Sequence, residues 1–119
     1  MKKLLFVFLF SVVALPVFAA DFVSPINFTP TDESKRAVIE YIRQNVKQEY
    51  SKIGMDSEST LRMMEKENLV AFKKLVTAND TELLARVIDQ YCRIGMCNYV
   101  TLQMMYEQEV KAKGESLKW

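Results

Sequence analysis

Histidine is absent from all 119 positions of the sequence, and glycine is scarce. Histidine is the commonest general base and the commonest zinc ligand, so its absence removes most nucleophilic triads and most zinc sites. The three glycines lie far apart, so the chain has no glycine-rich phosphate loop. We therefore predict a protein that is not an enzyme, with no catalytic residue, no cofactor and no resident metal.

Carboxylate pairs are the remaining route to acid–base chemistry. Glu65 and Glu67, like Glu107 and Glu109, are two positions apart and therefore point to different sides of a helix. Glu58 and Glu65 share a face, but they are separated by about two helical turns. We interpret all of these carboxylates as solvated surface charges.

Only one long apolar run is present, and it occupies positions 4–15 without a single charge. Lys2 and Lys3 precede the run, and Val17 and Ala19 follow it at positions suited to −3 and −1 of a cleavage site. A basic start, a short apolar core and small residues at the end are typical of a secretory signal peptide. We therefore predict that residues 1–19 are cleaved and that the protein is periplasmic. The mature chain is predicted to have no stable insertion in a membrane.

Charge is nearly balanced once the leader is removed. Cleavage takes away Lys2 and Lys3, so the 16 basic and 15 acidic residues of the full chain become 14 and 15, a net charge of −1. A nucleic-acid-binding protein needs a basic face, so we predict no nucleic-acid partner. The remaining chain of about 100 residues has the size of one domain.

The two cysteines, Cys92 and Cys97, lie on either side of a glycine. On a continuous helix their Cα atoms would be ~8 Å apart and about 140° apart around the axis, whereas a disulfide tolerates about 7 Å at most. Gly95 can adopt the left-handed conformation that ends many helices. We predict that one helix ends near Ile94, that a second begins near Asn98, and that the cysteines form a structural disulfide, as an oxidising compartment favours.

A redox or metal-binding role is the alternative for this cysteine pair. Redox motifs usually space their cysteines as Cys-x-x-Cys, with the first thiol at a helix N-terminus. Here four residues separate the cysteines, and the first is predicted near a helix C-terminus, where the helix dipole disfavours a thiolate. The spacing therefore favours the structural interpretation.

Residues 20–31 form an apolar segment that Pro25 and Pro30 keep extended. Its apolar residues are too many for a free tail: Phe22, Val23, Ile26 and Phe28. We expect an arm that packs over the helices, and the alternative is a segment that pairs with a partner protein.

Four segments with helical periodicity fill positions 32–113, and no stretch alternates long enough to predict a strand. The predicted helices are about 32–53, 57–78, 79–94 and 98–113. Short loops make successive helices antiparallel neighbours. We predict a single all-α domain over 32–119, a compact bundle of four helices that is either up-down or two packed helical hairpins, with the extended N-terminal arm. Beyond this succession of helices we detect no internal repeat.

The predicted core consists of one apolar stripe on each helix. In chain order the stripes are Val38, Ile39, Ile42, Val46, Tyr50 and Ile53; Leu61, Met64, Leu69, Phe72, Leu75 and Val76; Leu84, Val87, Ile88, Tyr91 and Cys92; and Tyr99, Leu102, Met105, Tyr106 and Val110. The predicted N-caps are Thr31 or Asp32, Asp56 or Ser57, and Asn79 with Glu82 in a capping-box pattern. Gly54 and Gly114 are predicted to end the first and fourth helices.

Methionines occur both on and off these stripes. Met64 and Met105 lie on the stripes and are interpreted as core residues. Met63 and Met104 lie off them, where exposed thioethers would form an adaptable binding surface or, with Met96, a soft Cu(I) site.

These features favour a small secreted, non-enzymatic binding protein, of the kind that acts as an inhibitor, immunity factor or chaperone. Its partner would be another periplasmic or envelope protein. The candidate contact residues are Phe22, Phe28, Met63, Met104 and Trp119. For Trp119 we expect docking on its own domain, with a partner anchor as the alternative. The alternative functions are a Cu(I)-binding periplasmic protein and an envelope structural protein.

Overall fold

The protein is described by a computed structural model over residues 20–119; the predicted leader, residues 1–19, lies outside the described residues. Four helices occupy most of this part: α1 (Asp32–Lys52), α2 (Glu58–Val76), α3 (Thr81–Arg93) and α4 (Tyr99–Lys113). No strand occurs among residues 20–119. The all-helical prediction is therefore confirmed.

A polar side chain caps the N-terminus of each helix, and the four caps are Thr31, Ser57, Asp80 and Asn98. Each accepts a hydrogen bond from the backbone N–H three residues further on, at 2.8–3.3 Å. At the first cap the Ser34 hydroxyl also accepts from the Thr31 N–H at 2.8 Å, which completes a capping box.

The prediction of Asn79 as the N-cap of α3 is wrong by one residue. The N-cap is Asp80, whose position is fixed by contacts with α4. The Asp80 N–H donates to the Tyr106 hydroxyl at 3.1 Å, and the Asp80 carboxylate meets the Lys113 ammonium at 2.8 Å. Both partners lie on α4, so a tertiary contact decides where α3 begins.

The helices form two antiparallel hairpins that pack through their second members. Helix α2 contacts both α1 and α4, and α3 contacts α4. The carboxamide of Asn68, in the middle of α2, meets Tyr99 at the start of α4. Asp80, just beyond the end of α2, contacts Tyr106 in the middle of α4 and Lys113 at its end. Helices α2 and α4 therefore run in the same direction, and the two hairpin turns lie towards the same end of the bundle.

The N-terminal arm covers the seam between the hairpins, as expected. The Phe22 ring lies 5.4 Å from Tyr41 of α1 and 5.6 Å from Tyr99 of α4, centroid to centroid. Phe28 packs edge-on against Phe72 of α2 at 4.9 Å. These contacts join the arm to both hairpins. Aromatic pairs of this geometry stabilise a fold beyond the contribution of the apolar surface that they bury.

Most of the predicted stripes are buried, but some of their members are exposed: Ile39, Ile53, Val76 and Val110. Ile53 is the C-cap at the tip of the first hairpin, where no helix covers it. Ile39 and Val76 border a groove between α1 and α2. Conversely, the stripes do not include Tyr41, yet it is buried because the arm and α4 cover it.

The two hairpin turns have the same geometry. Gly54 and Gly95 have φ of 70° and 80°, in the left-handed region. In each turn, the N–H after the glycine donates to a carbonyl five residues back at 2.9 Å, and the glycine N–H donates to a carbonyl three residues back at 3.2 Å. This pair of bonds is the Schellman motif, which satisfies the last carbonyls of a helix.

Aligning the two turns reveals an internal repeat, so the expectation of no repeat is wrong. Residues 46–64 and 87–105 are identical at nine of nineteen positions. The identical pairs are Val46 and Val87, Tyr50 and Tyr91, Ile53 and Ile94, Gly54 and Gly95, Met55 and Met96, Thr60 and Thr101, Leu61 and Leu102, Met63 and Met104, and Met64 and Met105. The shared tripeptide Ile-Gly-Met is the signal that could have found the repeat from sequence alone.

Candidate binding surfaces

The cysteine pair lies in the turn of the second hairpin. The sulfur atoms of Cys92 and Cys97 are at disulfide distance, and their Cα atoms are 4.2 Å apart. The helix is interrupted between them at Gly95, which confirms the predicted break. The Tyr41 hydroxyl of α1 donates to the Cys97 carbonyl, so this turn is also held against the first hairpin.

A buried asparagine joins the two hairpins. Asn68 is the buried polar residue of the core, and its Oδ1 accepts from the N–H of Tyr99 at 3.0 Å and of Val100 at 3.4 Å. Its Nδ2 donates to the Met64 carbonyl at 2.9 Å. The predicted core omits this residue, although its spacing from Leu61 and Met64 continues the apolar stripe of α2.

Burial keeps the two central tyrosines in their neutral form. Burial, together with a smaller contribution from the nearby Glu49 carboxylate, raises the pKa of Tyr41 to about 12. Burial also raises the pKa of Tyr99, with a smaller contribution from Tyr41. The Tyr99 hydroxyl donates to the Val23 carbonyl at 2.7 Å. Both phenols therefore act as hydrogen-bond donors that hold the arm and the second hairpin in place.

The candidate carboxylates are exposed except for Glu65, which is half-buried, and several of them pair with neighbouring side chains. Arg62 lies between Glu58 and Glu65 and makes ion pairs with both, at 3.1 Å to Glu58. Glu67, Glu107 and Glu109 are exposed. Arg62 thus brings the carboxylates of Glu58 and Glu65 to one guanidinium, and the interpretation of these residues as surface charges stays a prediction.

The methionines divide as their positions predict. Met64 and Met105 are half-buried against the core. Met63 and Met104 are 54% and 48% exposed, and Met96 is also exposed. Met63 and Met104 occupy equivalent positions in the two hairpins, so the repeat places the same exposed side chain on α2 and on α4.

The aromatic contact candidates fall into two groups. Phe22 and Phe28 pack against the chain's own core, so the structure uses them to attach the arm. Trp119 is fully exposed, as is Leu117, and the expectation that Trp119 docks on its own domain is wrong. The ion pair between Lys113 and Asp80 fixes the last turn of α4, and the Glu115 N–H donates to the Ala112 carbonyl at 3.1 Å. Residues 116–119 beyond it are exposed.

Two adjoining cavities form a groove along α1 and α2, on the outer side of the first hairpin. The larger has a volume of about 380 Å³ and the smaller about 170 Å³, and both are lined by Ile39 and Leu69. Phe28 and Phe72 contribute to the larger cavity, so the arm closes one end. We call this feature the α1/α2 groove.

Two searches among residues 20–119 have negative results. No group of three or more histidine, cysteine, aspartate or glutamate side chains in this range could hold a metal ion. Within the same range, no helix combines the length and the apolar character that crossing a membrane requires.

Comparison with protein-family models finds no match, and no curated protein and no solved structure matches the chain. Function is therefore inferred from the geometry of the surfaces described above.

Proposed function

We propose that this protein is a secreted, non-enzymatic binding module that presents helical surfaces to another protein of the periplasm or envelope. The observation that supports it most strongly is the exposure of the same apolar side chain at equivalent positions of the repeat, Met63 and Met104. A single exposed apolar residue is ordinary in any protein. Two exposed apolar residues at equivalent positions, in segments that differ at ten of nineteen aligned positions, indicate a shared role.

Several of the other identities of the repeat have explanations within the fold. Val46 and Leu61, with their counterparts in the second hairpin, are buried and are accounted for by packing. The glycines are accounted for by their positive φ. At the turns themselves, Ile53 and Ile94, and likewise Met55 and Met96, are also exposed apolar residues at equivalent positions. Packing offers no such account of Met63 and Met104, and flexible thioethers suit a contact surface.

Site-specific crosslinking tests the binding proposal. A photoreactive residue is placed at 63 or at 104 in the exported protein, and matched controls carry it at Gln48 of α1 or Gln90 of α3, which are also exposed. We expect the same crosslinked partner from 63 and 104, no such product from the controls, and loss of the product when both methionines are replaced by aspartate. Equal crosslinking from all four positions would contradict the proposal.

Export itself needs its own measurement. The mature protein is expected to begin at Ala20, whose N–H donates to Gln44 Oε1 at 2.7 Å. Its intact mass should be lower by two hydrogens than that of the reduced chain, because the thiols are joined. A protein that retains residues 1–19 in cells, or that carries two alkylatable thiols, would contradict a periplasmic location.

Binding of Cu(I) is the second candidate, and the exposure of Met63, Met96 and Met104 favours it. Replacing Met63 and Met104 by leucine separates the two functions, because leucine keeps the apolar surface and removes the thioether. With this replacement, a copper protein loses Cu(I) affinity in a titration against a competing chelator, whereas a protein-binding module keeps its crosslinked partner.

A further inference from the structure

Four basic residues border the α1/α2 groove, and they are Lys35, Arg43, Lys66 and Lys73. None of the four has an ion-pair partner among residues 20–119. The one acidic residue that lines the groove, Glu65, is already paired with Arg62. The groove is therefore positively charged, although the chain after residue 19 has a net charge of −1.

Apolar side chains form the floor of the groove and remain open to solvent. Ile39 of α1 is 40% exposed and Val76 of α2 is 38% exposed, and both line the larger cavity with Leu69 and Phe72. Open clusters of this kind on a small protein mark contact sites more often than scattered apolar residues do.

The groove has the length of a short helix. Its lining runs from Lys35 to Arg43 on α1 and from Glu65 to Val76 on α2. At 1.5 Å per residue these stretches are roughly 12 Å and 16 Å long, or about two to three helical turns. A groove between two helices that is open along its length suits the insertion of apolar side chains from a third helix.

We propose that the α1/α2 groove binds an amphipathic helix of a partner protein whose apolar stripe is flanked by acidic residues. The basic side chains lie on both sides of the groove and at both ends, two on each helix. That distribution matches carboxylates spaced along the two flanks of a helix. It differs from the arrangement for a single anionic headgroup, whose cations would be gathered at one end.

This surface is separate from the methionine surface, and it extends the proposed binding function by naming the chemistry of a partner. Met63 and Met104 are not among the residues that line the groove. The two proposals can therefore fail independently.

Two synthetic peptides of about four helical turns test the inference. Both carry the same leucine stripe, and one has glutamate and the other lysine on its flanks. Titrated by fluorescence anisotropy against the full exported chain, the acidic peptide is expected to bind about tenfold more tightly. Its affinity should fall as the salt concentration rises, because exposed charges are screened.

Charge reversal locates the binding site. The double substitution Lys35→Glu and Lys73→Glu leaves two basic side chains at the groove and adds two acidic ones, and it should abolish the preference between the peptides. The control Arg86→Glu with Lys118→Glu makes the same change in net charge away from the groove and should leave the preference unaltered. Ile39→Glu should weaken both peptides. The substituted residues are all exposed, so circular dichroism is expected to show an unchanged helical content.

Three outcomes would overturn the inference. The first is equal affinity for the two peptides, and the second is a preference that Lys35→Glu with Lys73→Glu does not alter. The third is tight binding to phosphatidylglycerol vesicles that the same charge reversal abolishes, which would assign the groove to anionic lipid. Peptide binding that survives Met63→Asp with Met104→Asp would show that the groove acts independently of the methionine surface.

Discussion

The side-chain oxygen of Asn68 lies 3.0 Å from the backbone nitrogen of Tyr99 and accepts its hydrogen bond. Tyr99 is the first residue of α4, and the first N–H groups of a helix have no partner within it. The same oxygen of Asn68 also accepts from the N–H of Val100, and the side-chain oxygen of the N-cap Asn98 accepts from the N–H of Thr101. A buried residue of the first hairpin thus completes the N-terminus of a helix in the second.

Replacement of Asn68 by alanine should destabilise the protein, because two buried N–H groups would lose their acceptor. We expect the free energy of unfolding to fall by about 1 to 3 kcal/mol, measured by urea denaturation. The matched control is Asn79→Ala, since Asn79 is exposed and should change stability by about 0.5 kcal/mol at most. Similar losses in the two variants would mean that Asn68 does not cap α4.

The two turn glycines should respond to substitution differently from the third glycine. Gly54→Ala and Gly95→Ala place a side chain at φ of 70° and 80°, and each should cost about 1 to 2 kcal/mol. No atom lies within 4 Å of the added Cβ at either position, so the cost comes from backbone conformation alone. A D-alanine at position 95, introduced by chemical synthesis, should therefore restore stability.

Gly114 provides the control for this series. It ends α4 with φ of −85°, in the right-handed region, so the helix ends there without the left-handed conformation that we expected of a glycine. Gly114→Ala should be neutral or stabilising by up to about 1 kcal/mol. A loss comparable to that of Gly95→Ala would contradict the account of the turns.

Removal of the disulfide should weaken the protein without unfolding it. The ring closed by Cys92 and Cys97 is small, so reduction or the double change to serine should lower the free energy of unfolding by about 2 kcal/mol. The first hairpin makes the same Schellman turn with Ser51 and Asp56 at the equivalent positions, so the turn does not require the bond. Far-ultraviolet circular dichroism should thus remain native, and a molten spectrum on reduction would refute this.

Alkaline pH should destabilise the fold through its central tyrosines. The ordinary pKa of a tyrosine is 10.0, whereas burial raises the pKa of Tyr41 in the folded protein to about 12, so the unfolded chain loses this proton first. The stability that neutral Tyr41 provides is complete below pH 10 and is lost as the pH rises towards 12.

Denaturant titrations at increasing pH measure this effect, with tyrosinate absorbance recorded in parallel. Tyr41→Phe should be less stable at neutral pH, because its hydrogen bond to the Cys97 carbonyl is lost, and should decline less steeply above pH 10. An equally steep decline in Tyr41→Phe would assign the transition to other groups, such as Tyr99, whose pKa burial also raises.

Some of the binding surface was open to prediction from sequence. The exposure of Met63 and Met104 followed from their places off the apolar stripes. The basic α1/α2 groove could not be predicted from the sequence, because Lys66 and Lys73, considered on α2 alone, belong to a face of mixed charge. Lys35 and Arg43 stand beside them only once α1 and α2 have packed together.

The sequence by itself determined the four helices and the break at Gly95, and it narrowed each of the first two N-caps to two neighbouring residues. Those features depend on groups within about five residues of one another, through helical periodicity, capping bonds and the backbone freedom of glycine. Tertiary structure alone decided that Asp80 caps α3, that Asn68 accepts the first N–H bond of α4 and that Trp119 stays exposed. Each of these outcomes depends on which helix lies alongside, and local rules carry no information about neighbours that are distant in sequence.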